Sequence, residues 1–291
     1  MTIRDLGYRP YDGVRLPPSH NTLVLLRHGI GRAWASWLVK IAVFLSWIPV
    51  LIVGLYYWYK VSEAAFMAQN APAGAPIPVV EPATFARDLL NWQLWLFLTM
   101  ITVGAGAGAI ARDLTFRAFQ FYFAKPVTIA QYLFGRIGAV GVWSFLLLLV
   151  PSLILNCAFL LLAQEGQHLE RAGLLLPATL FSVLIALVFS TTSVAISSLS
   201  KSRALTISTW LLVLFVPHVI GTIVDAIAHW PWILLLSIPA QLGSIGDALF
   251  RITHEGESHL EWYYCAPFLA AITLGSVWLS YQRIRSAEVI T

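Results

Sequence analysis

Long apolar segments alternate with short polar ones along most of the chain. Six of them stand out, at 39–59, 93–112, 137–163, 174–199, 205–224 and 264–282. A helix needs about 20 apolar residues to cross the roughly 30 Å hydrocarbon core of a bilayer. The pattern therefore predicts six transmembrane helices. A shorter apolar run at 230–240 contains two prolines, which favours a re-entrant or interfacial piece over a seventh span.

A different pattern precedes the first span. Apolar residues recur there at helical spacing, and polar residues occupy the opposite side. The apolar set is Leu23, Leu26, Ile30, Ala33, Trp34 and Trp37, and the polar set is Asn21, His28, Arg32 and Ser36. This predicts a basic amphipathic helix lying flat in the headgroup layer. The alternative is an extension of the first span, which Arg27, Arg32 and Lys40 disfavour because charges are costly in hydrocarbon.

The basic residues give the predicted orientation. With the N-terminus in the cytoplasm, the inner segments 1–40, 112–136, 200–204 and 283–291 hold 14 of the 18 Lys and Arg residues. Ten of the 14 acidic residues fall on the outer side. This positive-inside asymmetry predicts that both termini are cytoplasmic. We divide the chain into an N-terminal region, 1–38, and a six-span domain, 39–291.

Composition agrees with the membrane interpretation. The chain is 58% hydrophobic and only 11% charged, and its mean hydropathy is +0.76. Soluble domains are about 25% charged, so these residues cannot cover a water-facing surface of this size. The predicted fold class is an all-α integral membrane protein. The net charge of +4 comes from basic residues scattered over the segments that flank the spans. This distribution is explained by membrane topology and does not indicate a nucleic-acid partner.

Few residues suggest bond chemistry. Apart from Lys40 and Arg112 at their ends, the spans contain no Asp, Glu, Lys or Arg, which argues against proton coupling. His218 is the one titratable candidate inside them, and packing is the expected role of such a histidine. The string HEGESH at 254–259 has one residue too many for the zinc-binding HExxH helix, and the two cysteines form no framework. We expect no metal, no cofactor and no catalytic residue on this chain.

The sequence has no P-loop. GxxxxGK[ST] is absent, and the glycine-rich VGAGAGAI at 103–110 lies inside a span, without the strand that a dinucleotide site needs. Gly104 and Gly108 are four residues apart, which favours close helix packing. Together with the polar face at 190–193, they are candidates for contact with a second subunit or for packing within one.

The segment after Ala111, up to residue 136, is the most informative part of the chain. It has room for one or two short cytoplasmic helices, with Phe116, Phe119 and Phe123 at near-helical spacing and basic residues between them. Lys125-Pro126 predicts a turn, since the residue before proline is disfavoured in a helix. Exposed rings require a partner surface, or they tuck under the protein's own helix ends or into the membrane interface. These residues alone favour neither alternative.

The same segment resembles the permease subunits of ABC-2 type exporters. The residues that carry the resemblance are Ile110, Asp113, Lys125, Pro126, Tyr132, Leu133, Gly135 and Arg136. SSLSKSRA at 197–204 is similar to the family's turn between spans four and five. IPAQLGSIGDAL at 238–249 is similar to its outer segment before the last span. The resemblance covers most of 93–291, whereas 1–38 and 60–91 match less well.

This resemblance implies an ATP-driven exporter in a bacterial inner membrane. Two permease subunits would pair around a path, and separate ATPase subunits would bind ATP and Mg²⁺. A coupling helix would sit in a groove on the ATPase, which favours a partner for the phenylalanine rings. The residues implied in coupling are Asp113, Phe116, Arg117, Phe119, Lys125, Pro126, Tyr132, Gly135 and Arg136. Asp113 is expected to cap or brace the short helix near its start.

The sequence leaves two other functional classes of membrane protein open. One is a secondary transporter or channel that works without ATP. The other, less favoured, is a membrane enzyme built on the His- and Glu-rich loop that ends at Glu261. Activity that disappears without an ATPase partner would separate the exporter from both.

The predicted topology can be tested by cysteine labelling. In a background with Cys157→Ser and Cys265→Ala, an impermeant maleimide added outside should react with Ala73→Cys and Glu257→Cys, but not with Ser286→Cys. The inside residue should react only after the membrane is permeabilised. Labelling of Ser286→Cys from the outside would invert the orientation that the basic residues predict.

Overall fold

Helices account for all the regular structure that is described. The computed structural model describes residues 20–70, 72, 79–123, 127–163, 166–253 and 260–289. In these ranges, six helical stretches are long and apolar enough to cross a membrane: Trp37–Asn70, Pro82–Thr115, Ile129–Leu161, His168–Leu199, Arg203–Ala228 and Trp262–Ser286. The prediction of an all-α protein with six spans is confirmed.

The described elements follow the predicted order. They are α1 (His20–Trp34), α2 (Trp37–Leu45), α3 (Trp47–Asn70), α4 (Pro82–Gln93), a π-helical segment (Leu94–Leu98), α5 (Thr99–Ile101), a second π-helical segment (Thr102–Gly106), α6 (Ala111–Thr115), α7 (Phe119–Phe123), α8 (Ile129–Leu161), α9 (His168–Gly173), α10 (Leu175–Leu199), α11 (Arg203–Ala228), a 3-10 helix (Pro231–Leu236), α12 (Ile238–Phe250) and α13 (Trp262–Val289). The apolar run at 230–240 forms the 3-10 helix and the start of α12, so it does not span.

Small residues allow α1 to approach α8 closely. A Cβ atom built on Gly135 would lie 2.9 Å from the Cβ of Leu25, and one built on Gly29 would lie 2.7 Å from the Cβ of Ala139. Neither glycine can be replaced by a larger residue unless the helices move apart. Gly135, which the resemblance implied in coupling, therefore permits the close packing of α1 on α8.

Two tryptophans continue this contact further along both helices. The Trp34 and Trp143 rings stack with centroids 4.6 Å apart, and the Trp143 indole N–H donates to the carbonyl of Ile30 at 3.1 Å. The contacts advance along α1 and α8 together, so the two helices run side by side in the same direction. A helix flat in the headgroup layer would cross a span at one point. This packing differs from the predicted placement of α1 flat in the headgroup layer. Glycines and stacked indoles pack α1 along the length of α8 instead.

The second span is irregular where the sequence is rich in glycine. Two π-helical segments interrupt it, and residues 107–110 form a turn before α6. The interruption brings Gly104 against Ser36 and Leu38, where a Cβ would lie 2.9 Å from Ser36 Oγ and 3.1 Å from Leu38 Cβ. Such π segments are common at functional sites. Gly104 here packs within its own chain.

Gly106 offers a test of this packing. A Cβ at Gly106 would lie 2.5 Å from Ser193 Oγ and 3.0 Å from Ser193 Cβ, and Ser193 is fully buried on α10. Gly106→Val should lower the free energy of unfolding by about 1–3 kcal/mol, the usual cost of overpacking. The measurement is thermal unfolding in detergent. Gly275→Val, on an open part of α13, is the matched control, and equal melting temperatures for the two variants would contradict the packing.

Candidate functional site

The segment after the second span forms a short hairpin of two helices, which we call the base hairpin (α6, the turn 116–118 and α7). α6 ends because Arg117 takes a left-handed backbone conformation, with φ of 51°. The Ala118 N–H then donates to the carbonyl of Asp113 at 2.9 Å, as in a Schellman motif. Glycine usually occupies this position, since a side chain disfavours positive φ. The chain turns here, so α6 and α7 do not continue one helical face.

The turn separates the phenylalanines that the sequence placed together. Phe116 is 76% exposed and Phe121 is 75% exposed, whereas Phe119 is only 4% exposed. Phe119 packs edge-on against Tyr132, with ring centroids 5.4 Å apart. The placement of Phe119 in a partner's groove therefore needs correction: its ring is part of the chain's own core. Among the hairpin phenylalanines whose side chains are described, Phe116 and Phe121 are the ones that point outward.

A buried carboxylate fixes the base of the hairpin. Asp113, on α6, is 4% exposed. Its Oδ2 accepts a hydrogen bond from the Tyr132 hydroxyl at 2.6 Å and another from the Arg136 guanidinium. Arg32 of α1 reaches the other oxygen, Oδ1, at 3.5 Å. The Asp113 cluster (Asp113, Arg32, Tyr122, Tyr132 and Arg136) thus joins α6 to α1 and α8.

Arg136 extends the same cluster to α7. It is buried on α8 and also donates to the Tyr122 hydroxyl at 3.1 Å. Its guanidinium carbon lies 5.1 Å from the centre of the Tyr132 ring and 5.8 Å from that of Tyr122, within the range of cation–π attraction. Both helices of the hairpin are therefore tied to one cation on the third span.

The start of α8 sets the geometry of this cluster. Thr128 caps the helix, since its Oγ accepts from the Gln131 N–H at 3.2 Å while the Gln131 side chain accepts from the Thr128 N–H at 3.0 Å. Tyr132 and Arg136 follow one turn apart and share a helix face. The structure thus unites three of the residues that the resemblance selected: Asp113, Tyr132 and Arg136. Lys125 and Pro126 lie outside the described residues.

Ser197 completes the connection between the second span and α6. Its hydroxyl accepts from the backbone N–H groups of Ile110 and Ala111, each at 3.0 Å, and donates to the carbonyl of Ala107 at 3.0 Å. These backbone groups lose helical partners at the turn, and leaving them unpaired inside the protein would be costly. Asp113 was expected to cap or brace α6. The N-cap position of α6 has no side-chain cap of its own, and the Asp113 carboxylate braces the helix through Tyr132 and Arg136.

Sequence reasoning missed Ser197, Arg32 and Tyr122 as members of this site. Arg32 was visible as a basic residue before the first span, and Tyr122 lies among the phenylalanines, but nothing in their spacing shows a shared carboxylate. Ser197 lies in the SSLSKSRA turn that contributed to the resemblance. The same turn holds α6 at its other end, where the Thr115 hydroxyl donates to the carbonyl of Lys201 at 2.6 Å.

A second polar site lies at the opposite end of the bundle. Arg87 of α4 forms a bidentate ion pair with Asp247 of α12, with Nε–Oδ1 at 2.7 Å and Nη2–Oδ2 at 3.2 Å. The pair borders a cavity of 540 Å³ that also exposes His218. His218 Nδ1 lies 3.0 Å from the hydroxyl of Ser237, and its ring lies 4.5 Å from that of Trp95. The cavity is polar, but within the described ranges no His, Cys, Asp and Glu side chains form a group suited to a metal ion. HEGESH lies outside those ranges.

Comparison with known proteins does not identify the chain. It matches no family model, and it has no significant match among curated proteins. Its function has to be inferred from its own residues.

The Asp113 cluster can be tested by a double-mutant cycle. Asp113→Ala should lower the free energy of unfolding by about 3–5 kcal/mol, because it leaves the Arg136 guanidinium buried without its carboxylate. Adding Arg136→Leu should recover much of that loss, since no buried charge then remains. The measurement is unfolding in detergent, with Asp88→Ala as the control for an exposed acid. Strictly additive effects of Asp113→Ala and Arg136→Leu would show that the two groups are not paired.

Proposed function

We propose that this chain is the transmembrane permease subunit of an ATP-driven exporter, with ATP hydrolysed by a separate ATPase subunit. The observation that carries the proposal is the base hairpin. It exposes Phe116 and Phe121 at the end of the bundle predicted to face the cytoplasm, while Asp113 fixes its base to α1 and α8. Six apolar helices supply the membrane domain that such a subunit requires.

The exposed rings favour a protein partner. α6 and α7 have five residues each, too few to be stable as isolated helices. Their conformation therefore depends on the contacts of Asp113, Phe119 and Ser197 with the bundle. Aromatic side chains held outward on a fixed support match the usual anchors of an interface, where a few buried rings carry most of the binding free energy. Arg117 lies between them and would form a charged rim.

The same contacts give a route for coupling. When ATPase subunits close on nucleotide, a hairpin seated on them would be displaced as one unit. Asp113 and Arg136 would carry that displacement to the third span, and Arg32 would carry it to α1. ATP and Mg²⁺ would bind on the partner, and this chain would do no bond chemistry. Substrate would pass as the spans change arrangement. The free energy for this change would come from an ATPase that binds the two arrangements of the permease with different affinity in its different states.

A second copy of the permease belongs to this proposal, although not through the residues first considered. Gly104 and Ser193 pack inside one chain, and the hydroxyls at 190–193 bond to their own helix backbone. These contacts favour packing within one chain for Gly104 and for residues 190–193, so we expect two copies to meet through other surfaces. The apolar stretch of α11 has the smallest buried share among the six described spans, so it is a candidate surface for contact with a second copy or with lipid.

The decisive variant removes the two exposed rings. Phe116→Ala with Phe121→Ala should leave the fold intact, because neither ring is buried in the chain. Loss of two interface anchors, each worth about 2 kcal/mol, should weaken ATPase binding by more than about tenfold and abolish permease-dependent ATP hydrolysis. The measurements are copurification of a P-loop ATPase with tagged permease from native membranes and vanadate-sensitive ATP hydrolysis by the purified sample.

Two controls sharpen this test. Phe66→Ala removes a ring of similar exposure from α3, away from the hairpin, and should change neither result. Arg117→Glu should cause a milder loss, since a rim charge affects association more than stability of the complex. If the double variant keeps ATPase association and hydrolysis at the level of Phe66→Ala, the hairpin is not the coupling element. Transport without any ATPase would favour the secondary transporter.

A further inference from the structure

A cavity rich in arginine lies beside the Asp113 cluster. It has a volume of 390 Å³, and its walls come from α1, the start of α2, the glycine-rich end of the second span, and the first turns of α8 and α11. The charged side chains that line it are Arg32, Arg112, Arg136 and Arg203. Among the described residues, those that line the cavity include no carboxylate, although Asp113 pairs with Arg32 and Arg136.

Arg112 and Arg203 converge on one point of this cavity. A Cβ atom built on Gly108 would lie 3.4 Å from Arg112 Nε and 3.5 Å from Arg203 Nε. The glycine therefore leaves open the position where the two cations meet. Neither arginine has an acidic partner within 4.0 Å among the described residues, and Arg203 Nε is buried without a hydrogen-bond partner there.

Arg32 and Arg136 supply the opposite wall. Both already contact Asp113, so one carboxylate is shared by two guanidinium groups. The guanidinium groups repel one another, most strongly at buried Arg136, and a buried donor without a partner costs free energy as well. An anion in the cavity would remove both penalties.

We propose that this cavity binds a phosphate-bearing anion at the end of the bundle that the charge distribution places in the cytoplasm. Guanidinium groups bind phosphate oxygens in a planar, two-pronged geometry, and converging arginines are the usual protein solution for a phosphate group. Anion binding in this cavity does not depend on the proposed function, since it requires no ATPase partner, although Arg112 of α6 belongs to the base hairpin.

Two sources of such a phosphate share this chemistry. The cavity is lined by Trp37 and Leu38, and the neighbouring surface of α2 exposes Phe44. These apolar side chains would accommodate the acyl chains of an anionic phospholipid whose headgroup enters the cavity. The same guanidinium groups would also bind inorganic phosphate from solution.

The test compares melting temperatures of the purified full-length chain in detergent. One arm titrates inorganic phosphate against sodium chloride at matched ionic strength. The other adds phosphatidylglycerol or phosphatidylcholine micelles. The variant is Arg112→Gln with Arg203→Gln, and the control is Arg283→Gln with Arg285→Gln, which removes the same charge from the exposed end of α13. Gly108→Leu is a second variant: its Cβ has ordinary contact distances, but its longer side chain enters the cavity.

Wild type and the Arg283/Arg285 control should be stabilised by phosphate, by phosphatidylglycerol, or by both, and not by chloride or phosphatidylcholine. A response to phosphate alone identifies a soluble anion, whereas a response to phosphatidylglycerol alone identifies a lipid headgroup. In the Arg112/Arg203 variant and in Gly108→Leu, the half-saturating concentration should rise at least about tenfold. In chloride, the arginine variant should melt no lower than wild type, because it loses a repulsion. No stabilisation of wild type in either arm, or equal stabilisation of all variants, would overturn the site.

Discussion

The ion pair between Asp113 and Arg136 is the interaction on which the base of this bundle depends. The Asp113 carboxylate and the Arg136 guanidinium are both buried, and each compensates the charge of the other. Either charge alone would remain buried without compensation. The Tyr132 and Tyr122 hydroxyls add hydrogen bonds to the pair, and the Arg32 guanidinium forms a second ion pair with Asp113. The pair thereby fixes the relative positions of α1, α6, α7 and α8. Without it, the short helices of the base hairpin would lose the one buried charge pair that fixes them among the described residues and would depend on the contacts of Phe119, Ser197 and Thr115.

The irregular second span explains how so many arginines meet in one place. π-helical turns and the break at 107–110 end the regular helix before α6, and Ser197 satisfies the backbone groups that the break releases. The break brings Gly108 beside Arg112 and Arg203. The proposed coupling site and the proposed anion site share Arg32 and Arg136. An anion that compensates these cations would therefore alter the electrostatic balance that holds the hairpin.

The six spans and their order were predictable from the sequence, because the length of each apolar segment identifies a span. The prediction also selected Asp113, Tyr132 and Arg136, which the structure brings into contact. It could not place Phe119 correctly, since the left-handed residue that breaks the helical face is Arg117 and not a glycine. The prediction also could not place α1. The polar face of α1 suggested a position in the membrane headgroup layer, whereas Gly29 and Gly135 allow α1 to pack side by side with α8. Arg32 and Ser197 join the site across long sequence separations, which spacing does not encode.

The position of the base hairpin on the bundle is fixed by the Asp113 cluster. It can be measured as a distance between spin labels at Gln120→Cys on α7 and Ser286→Cys on α13, both exposed, in a background without native cysteines. We expect a single narrow distance distribution for the otherwise unchanged protein. We expect a clearly broadened distribution in Asp113→Asn, whose side chain is similar in size but carries no charge, and no broadening in Arg117→Glu. A distribution for Asp113→Asn that superimposes on that of the unchanged protein would contradict the claim.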